Sequence, residues 1–419
     1  MERTILHSDL NAFYASVECL HNPGIRDKPV AVAGDVENRH GIILAKNELA
    51  KKCGVSTGEP LYPGQSLNLQ RIWQKQKCPD ILFVPPHYDL YLKYSKLARK
   101  IYAGYSDYVE SYGLDECWLD ISVLGHGGEI ADEIRAHIKS ELGITASVGV
   151  SFNKIFAKLG SDYKKPDATT VISKDNFKQI AWPLPASNLL FVGPATKKKL
   201  ARYGIDTIGE LANADPQFLR RLLGKNGYML WMFANGLDSS PVTNISYIPP
   251  VKSIGNSTTT PRDLVTDHDV KIILYILCES VAARLREQDL KCAGVQIFLR
   301  DNTLHSFERQ IPLSFPTTSS NALFDTAFTL YKKHHIPGTA LRSVGVRAQK
   351  LIHVRHEQLS FMPDYHKVQE HEQLERVIDG LRERFGFYSI QRAVMLTDPT
   401  LSKLNPKGDH VIFPERFFK

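Results

Sequence analysis

The 419-residue chain lacks the features that mark a secreted, membrane-spanning or zinc-binding protein. No stretch approaches the roughly 20 consecutive apolar residues that span a bilayer. The charged start M-E-R-T does not provide the apolar core of a signal peptide. The six cysteines occur without any C-x-x-C spacing, which argues against disulfides or a zinc site. We therefore expect a soluble, cytoplasmic protein with no membrane partner.

The chain also lacks low-complexity segments, and it is too long for one hydrophobic core, so about three domains are expected. Its charge is uneven. Residues 1–180 hold 22 Lys and Arg against 22 Asp and Glu, residues 181–350 hold 20 against 13, and residues 351–419 hold 10 against 10. The basic excess in the middle region predicts a surface that binds a polyanion. Chance clustering of solvated lysines and arginines is the alternative.

Three carboxylates stand in apolar surroundings. Asp115 and Glu116 are adjacent in G-L-D-E-C-W-L-D, and Asp9 follows the apolar run I-L-H-S. Burying unpaired carboxylates costs several kcal/mol each, so a positive partner is required. Hard oxygen ligands without a His or Cys cluster favour Mg²⁺ over zinc. The alternative is a surface hairpin on which Lys and Arg neutralise the acids.

Hydrophobic periodicity predicts an α/β (α+β) protein. Asp9 is expected at a strand-helix junction, and Asp115 and Glu116 on or just before the second of two short strands that flank Gly113. Because these two strands are adjacent, the sheet should have a ferredoxin-like core. The other predicted elements are strands over 4–8, 29–33 and 144–150 and helices over 11–20, 45–53, 88–105 and 130–142.

Three strings occur in order: H-S-D-L-N-A-F-Y-A-S-V-E, Y-G-L-D-E-C-W-L-D-I-S and V-G-V-S-F-N-K-I-F-A-K-L-G-S-D-Y-K-K-P. Together they resemble the Y-family translesion DNA polymerases, most closely the polymerase IV-like and UmuC-like proteins of bacteria. The resemblance is strongest over residues 1–180 and weaker to about 350. It implies a multidomain right hand: a ferredoxin-like palm (1–18 and 79–180), small fingers (19–78, with an insertion at 61–71), a helical thumb with a helix-hairpin-helix (181–240), a linker (241–250), an α/β little finger (251–350) and a C-terminal tail (351–419).

The activity implied by the resemblance is template-directed addition of deoxynucleotides to a primer 3′ end, of the lesion-bypass type, in DNA repair and damage tolerance. Asp9, Asp115 and Glu116 match the family's catalytic acids. With the backbone carbonyl of Leu10 they would hold two Mg²⁺ ions per active site, the arrangement that two-metal phosphoryl transfer requires. The implied partners are primer-template DNA and deoxynucleoside triphosphates, and the protein is expected to be a monomer.

Four residues match or neighbour the family's nucleotide contacts. Tyr14 matches the steric gate that excludes a 2′-hydroxyl, and Phe13 beside it is a second candidate that is more typical of core packing. Lys165 matches a triphosphate-binding lysine. In the fingers the chain departs from its relatives, because Glu48 and Lys51 replace a tyrosine and an arginine. Lys51 can still bind phosphate, whereas Glu48 should point away or pair with a basic neighbour such as Lys52.

Further candidates for DNA binding come from the basic region. A turn at Gly193, followed by a helix, is typical of a phosphate site at a helix N-terminus, although such turns are also common on surfaces. The little finger is expected to contribute strands over 251–260, 293–300 and 342–348. The predicted phosphate contacts are Gly193, Ala195, Lys197, Lys198, Lys252, Ser253, Asn256, Arg300, Arg342 and Arg347.

The tail contains the string Q-L-S-F-M, which resembles the short peptides with which bacterial polymerases bind the sliding clamp. Gln358, Leu359, Phe361 and Met362 would make that contact. Two alternatives to a polymerase stay open: a two-metal nuclease, and a non-catalytic or accessory-dependent DNA-binding protein of a mutagenesis complex. The intact acids favour an enzyme over the second of these.

Overall fold

The computed structural model describes residues 3–34, 41–61, 78–354, 363–406 and 408. The described residues at 3–34 and from 42 to 248 form a first compact unit, and those from 249 onward form a second. No helix in these ranges is long and apolar enough to cross a membrane. The mixed α/β class that the sequence predicts is confirmed.

In the first unit the strands are β1 (Ile5–Leu10), β2 (Val30–Ala33), β3 (Ile43–Lys46), β4 (Leu82–Val84), β5 (Val109–Tyr112), β6 (Glu116–Asp120), β7 (Ala146–Ser151) and β8 (Thr169–Ile172). The helices are α1 (Phe13–His21), α2 (Glu48–Lys52), α3 (Tyr88–Ala103), α4 (Gly127–Leu142), α5 (Lys154–Tyr163), α6 (Phe177–Ala181), α7 (Pro194–Ala201), α8 (Ile208–Asn213), α9 (Pro216–Leu223) and α10 (Lys225–Ala234).

The main sheet of the first unit has the strand order β5-β6-β1-β7-β8. Its centre, β1, is antiparallel to both neighbours and buried throughout. Side chains alternate between the two faces of a strand. Leu6 and Leu10 therefore pack in the core shared with α3 and α4, while Ile5 faces Ala157 of α5. Asp9 has the parity of Ile5, so it projects on the α5 side of the sheet.

Two expectations for this region need correction. Asp9 was expected at a junction, but β1 continues to Leu10 because β7 pairs with it that far, with Leu10 opposite Ala146. The helix expected over 45–53 begins only at Glu48, since Asn47 caps it and the residues before Asn47 form β3. In β3, Ala45 pairs with Val32 of β2.

A smaller sheet of order β3-β2-β4 carries α2. The Asn47 side chain accepts hydrogen bonds from the backbone N–H groups of Ala50 (2.9 Å) and Val30 (3.0 Å). Its amide donates to the carbonyl of Lys28 at 2.7 Å. One side chain thus ties the start of α2 to the sheet, which sets the direction of Glu48 and Lys51. Most of the predicted insertion at 61–71 lies outside the described residues.

Helices α6 to α10 enclose a separate apolar core with part of α5, in which Phe156, Leu200 and Leu211 are buried. Helix α7 begins with Pro194, and Gly193 is its N-cap. Pro suits this first position because its missing N–H would have no helical partner there. The helix starts directly after the turn predicted at Gly193, whose role in DNA binding stays a prediction.

The second unit contains β9 (Ser253–Leu264), β10 (Leu290–Asp301), β11 (Ser306–Thr317) and β12 (Leu341–His353) in the sheet order β11-β10-β12-β9. Its helices are α11 (Asp267–Arg286), α12 (Ser320–His334), α13 (Pro363–Phe385) and α14 (Pro399–Ser402). Val295, Ile297 and Val346 pack against Leu277 of α11 and Leu323 of α12. One face of the sheet is therefore covered by helices.

The expectation of a tail after residue 350 is wrong for much of that segment. Strand β12 continues to His353, and the chain forms α13 from Pro363 to Phe385. Met395 and Leu401 are buried in the same core as the sheet of the second unit. The sequence signal was weak because α13 is attached mainly through charged side chains rather than an apolar stripe.

Candidate active site

The three predicted acids converge because β1 and β6 are neighbours in the sheet. Asp9 lies directly opposite Glu116 in the strand register. Asp115 immediately precedes β6, and its carbonyl accepts a hydrogen bond from the backbone N–H of Leu10 at 3.0 Å. A cavity of about 440 Å³ opens at this point. The predicted residues that line it are Asp9, Leu10, Phe13, Tyr14, Lys51, Asp115, Glu116 and Lys165.

The acids carry more negative charge than their surroundings neutralise. Burial raises the pKa of Asp9 to about 7, although Lys165 Nζ lies 2.6 Å from its Oδ2 atom. Burial and the nearby Glu116 raise the pKa of Asp115 to about 6. Burial also acts to raise the pKa of Glu116, but His7 and Lys158 outweigh it and lower that pKa to about 2. Two of the three carboxylates are therefore costly to ionise in the absence of further positive charge.

In this structure, lysine side chains form ion pairs with two of the three carboxylates, those of Asp9 and Glu116. Lys165 also lies 2.7 Å from Asp162, and Lys158 forms an ion pair with Glu116. Among the described residues, no three His, Cys, Asp or Glu side chains stand close enough to hold a metal ion as they are oriented. The carboxylate oxygens are nevertheless the hard ligands that a divalent cation prefers, and added positive charge would lower the raised pKa values. The donor set therefore fits the divalent cation that the resemblance implies.

Tyr14 is held at the cavity wall by the turn between β1 and α1. The Asn11 side chain donates to Thr145 Oγ1 at 3.1 Å and accepts from Ser147 Oγ at 2.8 Å, which fixes the start of this turn. The Tyr14 ring stacks on Tyr91, with centroids 4.1 Å apart and planes 7° from parallel. A ring held on one face by another aromatic residue is a rigid wall. Phe13 is almost fully buried, as its packing interpretation expects.

On helix α2, Glu48 pairs with Lys51 rather than with Lys52. Lys51 Nζ lies 3.3 Å from Glu48 Oε1, and both side chains are about half exposed. Glu48 therefore pairs with a basic neighbour, as one of the two expectations has it, but that neighbour is Lys51 instead of Lys52. Positions 48 and 51 lie one helical turn apart, which brings their side chains together on α2. The charge of Lys51, a predicted phosphate ligand, is thus partly neutralised.

Sequence reasoning missed a second cation in this wall. Lys46, at the end of β3, lines the cavity and donates to Thr57 Oγ1 at 3.1 Å. Burial and the neighbouring charge of Lys51 lower the pKa of Lys46. No motif indicated it, because its position depends on β3, a four-residue strand that the periodicity did not predict.

His7 was missed as well, although it lies in the first motif string. Its ring is completely buried, and its Nδ1 atom lies 2.8 Å from Ser161 Oγ. The Nε2 atom is 3.1 Å from Glu116 Oε2. His7 shares the parity of Asp9 in β1, and this alternation is the signal that could have placed it beside the acids.

The predicted DNA contacts fall in two groups. Lys197 and Lys198 are exposed near the start of α7, as are Gly193 and Ala195. In the second unit, Lys252, Ser253 and Arg347 are exposed, and Arg300 and Arg342 are half-buried.

Asn256 differs from these residues because its polar atoms are engaged within the second unit. Its amide donates to the carbonyl of Pro406 at 3.0 Å, and its Oδ1 atom accepts from the Ser257 N–H at 2.9 Å. Its role in DNA binding stays a prediction. Gln358, Leu359, Phe361 and Met362 lie outside the described residues.

Comparison with known proteins begins with the fold. A solved Y-family DNA polymerase chimera superposes with a TM-score of 0.71, covering 84% of this chain and 99% of that chain at 22% identity. The model of the impB/mucB/samB family matches residues 8–162, and the model of that family's C-terminal domain matches residues 251–361.

Curated relatives give the same result over nearly the whole chain. DNA polymerase IV of Acetivibrio thermocellus is 50% identical, covering 96% of this chain and 100% of its own length. DNA polymerase IV of Pelotomaculum thermopropionicum is 35% identical, with 95% and 96% covered, and DNA polymerase IV 2 of Bacillus subtilis is 35% identical, with 94% and 95% covered. The chain belongs to the impB/mucB/samB family and is a Y-family DNA polymerase IV-like protein. The resemblance drawn from the motifs is confirmed.

Proposed function

We propose that this protein is a template-directed DNA polymerase of the lesion-bypass type, which extends a primer with deoxynucleotides in DNA repair and damage tolerance. One observation carries the proposal: the cavity at the edge of β1 and β6 joins three carboxylates to an aromatic wall and a set of lysines. Acids alone would serve a nuclease equally well. The wall at Tyr14 and the cations Lys46 and Lys165 suit an incoming nucleoside triphosphate, which hydrolysis of DNA would not need.

The family depends on a divalent metal ion. We propose that this protein uses Mg²⁺, with two ions in each active site. Asp9, Asp115 and Glu116, with the Leu10 carbonyl, would hold the ions. When bound, they supply positive charge that offsets the charge developing on the transferred phosphoryl group. Asp9 would then release Lys165 toward the triphosphate oxygens. Lys165 lines the cavity that would hold the triphosphate.

Tyr14 would act as the steric gate for the sugar. Its ring cannot yield, because Tyr91 lies parallel to it at 4.1 Å and Tyr88 contacts it edge-on with centroids 6.1 Å apart. A 2′-hydroxyl would meet this ring. We expect Tyr14→Ala to incorporate ribonucleotides more readily than the unsubstituted protein, measured as the ratio of kcat/KM for the two sugars. An unchanged ratio would remove the gate from the proposal.

Primer-template DNA and deoxynucleoside triphosphates are the partners that such an enzyme requires. We propose that the start of α7, with Lys197 and Lys198, binds the phosphate backbone without reading sequence. We propose a palm at 1–18 and 79–180, fingers at 19–78, a thumb at 181–240, a linker at 241–250 and a little finger at 251–350. Met395 and Leu401, from the segment after 350, pack in the core of the second unit. We also propose that the protein is a monomer and acts in the cytoplasm. Sedimentation of the protein with and without DNA would test the oligomeric state.

A sliding clamp is a further proposed partner, on the basis of the Q-L-S-F-M string. We expect Phe361→Ala to reduce stimulation of primer extension by a bacterial clamp while extension without the clamp is unchanged. Equal stimulation of both proteins would assign the string no role in clamp binding.

The test of the main proposal is primer extension with Mg²⁺ on undamaged and abasic templates. Asp115→Ala should lower kcat/KM by about 1,000-fold or more, because charge stabilisation worth several kcal/mol is lost. Asp107→Ala, which removes an exposed acid just before β5, is the matched control and should extend normally. Extension by Asp115→Ala at the unsubstituted rate would exclude the site, and failure to pass the abasic position would exclude lesion bypass.

A further inference from the structure

A fourth buried carboxylate, that of Glu18, lies behind the aromatic wall of the nucleotide cavity without lining the cavity itself. Only 6% of Glu18 is exposed, and the residue before it, Val17, packs in the main apolar core of the first unit. Burying a carboxylate is costly unless hydrogen bonds replace the lost water. Because an apolar side chain would avoid this cost, the contacts of Glu18 indicate its role.

Glu18 accepts hydrogen bonds from two residues at the start of α3. The Tyr91 hydroxyl donates to Glu18 Oε1, and His87 Nδ1 lies 2.9 Å from Oε1 and 3.0 Å from Oε2. Tyr91 is fully buried, and burial together with the hydrogen bond to Glu18 raises the pKa of Tyr91. Its hydroxyl therefore keeps the proton that it donates. His87 and Tyr91 lie one helical turn apart, so both reach the same carboxylate.

The same two helices hold the ring proposed as the steric gate. Tyr14 and Glu18 are four residues apart on α1, so their side chains lie on one face of that helix. Tyr91 contacts both of them, because its ring stacks on the Tyr14 ring at 4.1 Å and its hydroxyl bonds to Glu18. Stacking fixes the separation of two rings better than their lateral position, whereas a hydrogen bond at the end of one ring also fixes its direction.

We propose that Glu18 is a positioning residue for the choice of sugar. By holding the Tyr91 hydroxyl, it fixes the ring behind Tyr14, which then stays in the path of a 2′-hydroxyl. This inference rests on the proposed polymerase function and on Tyr14 as the gate. The structural alternative is that Glu18 only joins α1 to α3, in which case its loss would lower stability without altering the choice of sugar.

Two substitutions break the hydrogen bond from opposite sides. Tyr91→Phe keeps the ring that stacks on Tyr14 but removes the donor, and Glu18→Met keeps the length of the side chain but removes the acceptor. We expect each variant to lower the ratio of kcat/KM for deoxynucleotide over ribonucleotide about fivefold or more, which is the range for loss of one hydrogen bond. The change should come from faster addition of ribonucleotide.

The double variant separates positioning from stability. Each single variant leaves one buried polar group without its partner, so it should unfold at a lower temperature. With Glu18→Met and Tyr91→Phe combined, both groups are apolar, and His87 can be solvated because its side chain is 51% exposed. The unfolding temperature should therefore recover. The sugar ratio should stay as low as in the single variants, because all three proteins lack the same contact.

Tyr94→Phe is the matched control, because it removes a hydroxyl from the next turn of α3. Tyr94 is partly buried, and its ring contacts His21 with centroids 5.6 Å apart. Since this ring lies beside neither Glu18 nor Tyr14 in the contacts of α3, the substitution should leave the sugar ratio unchanged. Single-nucleotide extension with each sugar measures the ratio, and thermal unfolding measures stability.

Three results would overturn the inference: an unchanged ratio in both single variants, a lower ratio caused only by slower deoxynucleotide addition, or a ratio that recovers with stability in the double variant. The underlying proposals are judged separately. If the unsubstituted protein extends no primer, the polymerase proposal fails, and if Tyr14→Ala keeps the original ratio, the gate fails. If Tyr14→Ala lowers the ratio and the Glu18 and Tyr91 variants do not, only the role of Glu18 is removed.

Discussion

Buried carboxylates are crowded together in the first unit and matched with cations in the second. In the first unit, burial raises the pKa of Asp9 to about 7 and that of Asp115 to about 6. In the second unit, Glu372 is as buried as Asp9 but accepts hydrogen bonds from Lys291 Nζ at 2.8 Å, Thr317 Oγ1 at 2.7 Å and the Thr318 N–H at 2.8 Å. Similar side chains at similar depth thus have opposite surroundings.

The matched charges of the second unit join α13 to the rest of that unit. Glu375 pairs with Arg286 of α11, and Arg382 Nη2 lies 2.9 Å from Glu279 of α11. In the first unit, by contrast, lysines contact acids that would coordinate a bound cation. We infer that the paired carboxylates of the second unit stabilise its fold, whereas the crowded carboxylates of the first unit serve to bind a ligand. Substitutions at matched sites should cost stability, and substitutions at crowded sites should cost activity.

The largest effect on stability is expected at Glu372. Glu372→Ala removes a partner from Lys291, which is itself buried, and from two threonine donors of the β11 end. Breaking a buried ion pair in this way should cost about 3–5 kcal/mol of unfolding free energy in the second unit. Denaturant unfolding of the protein would measure the loss. Nucleotide addition at low temperature, where the unit stays folded, should be retained.

Glu370→Ala is the control for Glu372→Ala, because Glu370 is exposed on the same helix. It should change the unfolding free energy by less than about 0.5 kcal/mol. Glu372→Gln should fall between the two, since an amide can still accept hydrogen bonds from the threonines. A loss below 1 kcal/mol in Glu372→Ala would contradict the matched-charge description of α13.

The contrast also explains what could be predicted from the sequence. Asp9, Asp115 and Glu116 were identifiable because each stands in a short apolar string, and pairing of β1 with β6 then brings them together without further information. The α/β class followed from periodicity in the same way. The sequence alone can therefore predict residues whose role depends on strand alternation or on a local motif.

Other residues depend on contacts that no local pattern encodes. Lys46 lines the cavity because β3 ends there and Asn47 caps the start of α2. The hydrogen bond from Lys51 to Glu48 depends on how the two side chains are oriented, which the sequence does not specify. The φ angle of Phe191 is a backbone property that the string F-V-G-P does not reveal. Residues beyond 363 looked like a tail because their burial relies on ion pairs rather than on apolar spacing.

Lys46 and Lys51 sharpen the comparison within the first unit, because Lys51 forms an ion pair with Glu48, whereas Lys46 donates to Thr57 Oγ1. Lys46→Ala should raise the KM for the incoming nucleotide about tenfold, as expected for loss of a charge-assisted phosphate contact. Lys51→Ala should raise it less than about threefold, since Glu48 already offsets that charge at 3.3 Å. Steady-state extension by one nucleotide measures both, and equal effects would show that Glu48 moves away when nucleotide binds.

The smallest expected effect is a gain in stability on removing one crowded acid. Asp9→Asn should raise the unfolding free energy of the first unit by about 1 kcal/mol at pH 7.5 without divalent cation. One pKa unit corresponds to about 1.4 kcal/mol, and the lost contact with Lys165 offsets part of the gain. Because the folded-state pKa of Asp9 lies above its ordinary value of 3.8, the folded protein holds a proton that the unfolded chain has lost between about pH 4 and pH 7. This group therefore makes stability fall as pH rises through that window.

Asp9→Asn should remove that part of the pH dependence, and the remaining slope would come from Asp115, whose pKa is raised to about 6. Adding Mg²⁺ should reverse the order of the two proteins, because the ion stabilises only a folded state that can bind it. Thermal unfolding at pH 5 and pH 7.5, with and without Mg²⁺, measures all of these differences. If Asp9→Asn were less stable at pH 7.5 without the ion, its ion pair with Lys165 would outweigh the crowding, and Asp9 would belong with the matched carboxylates of the second unit.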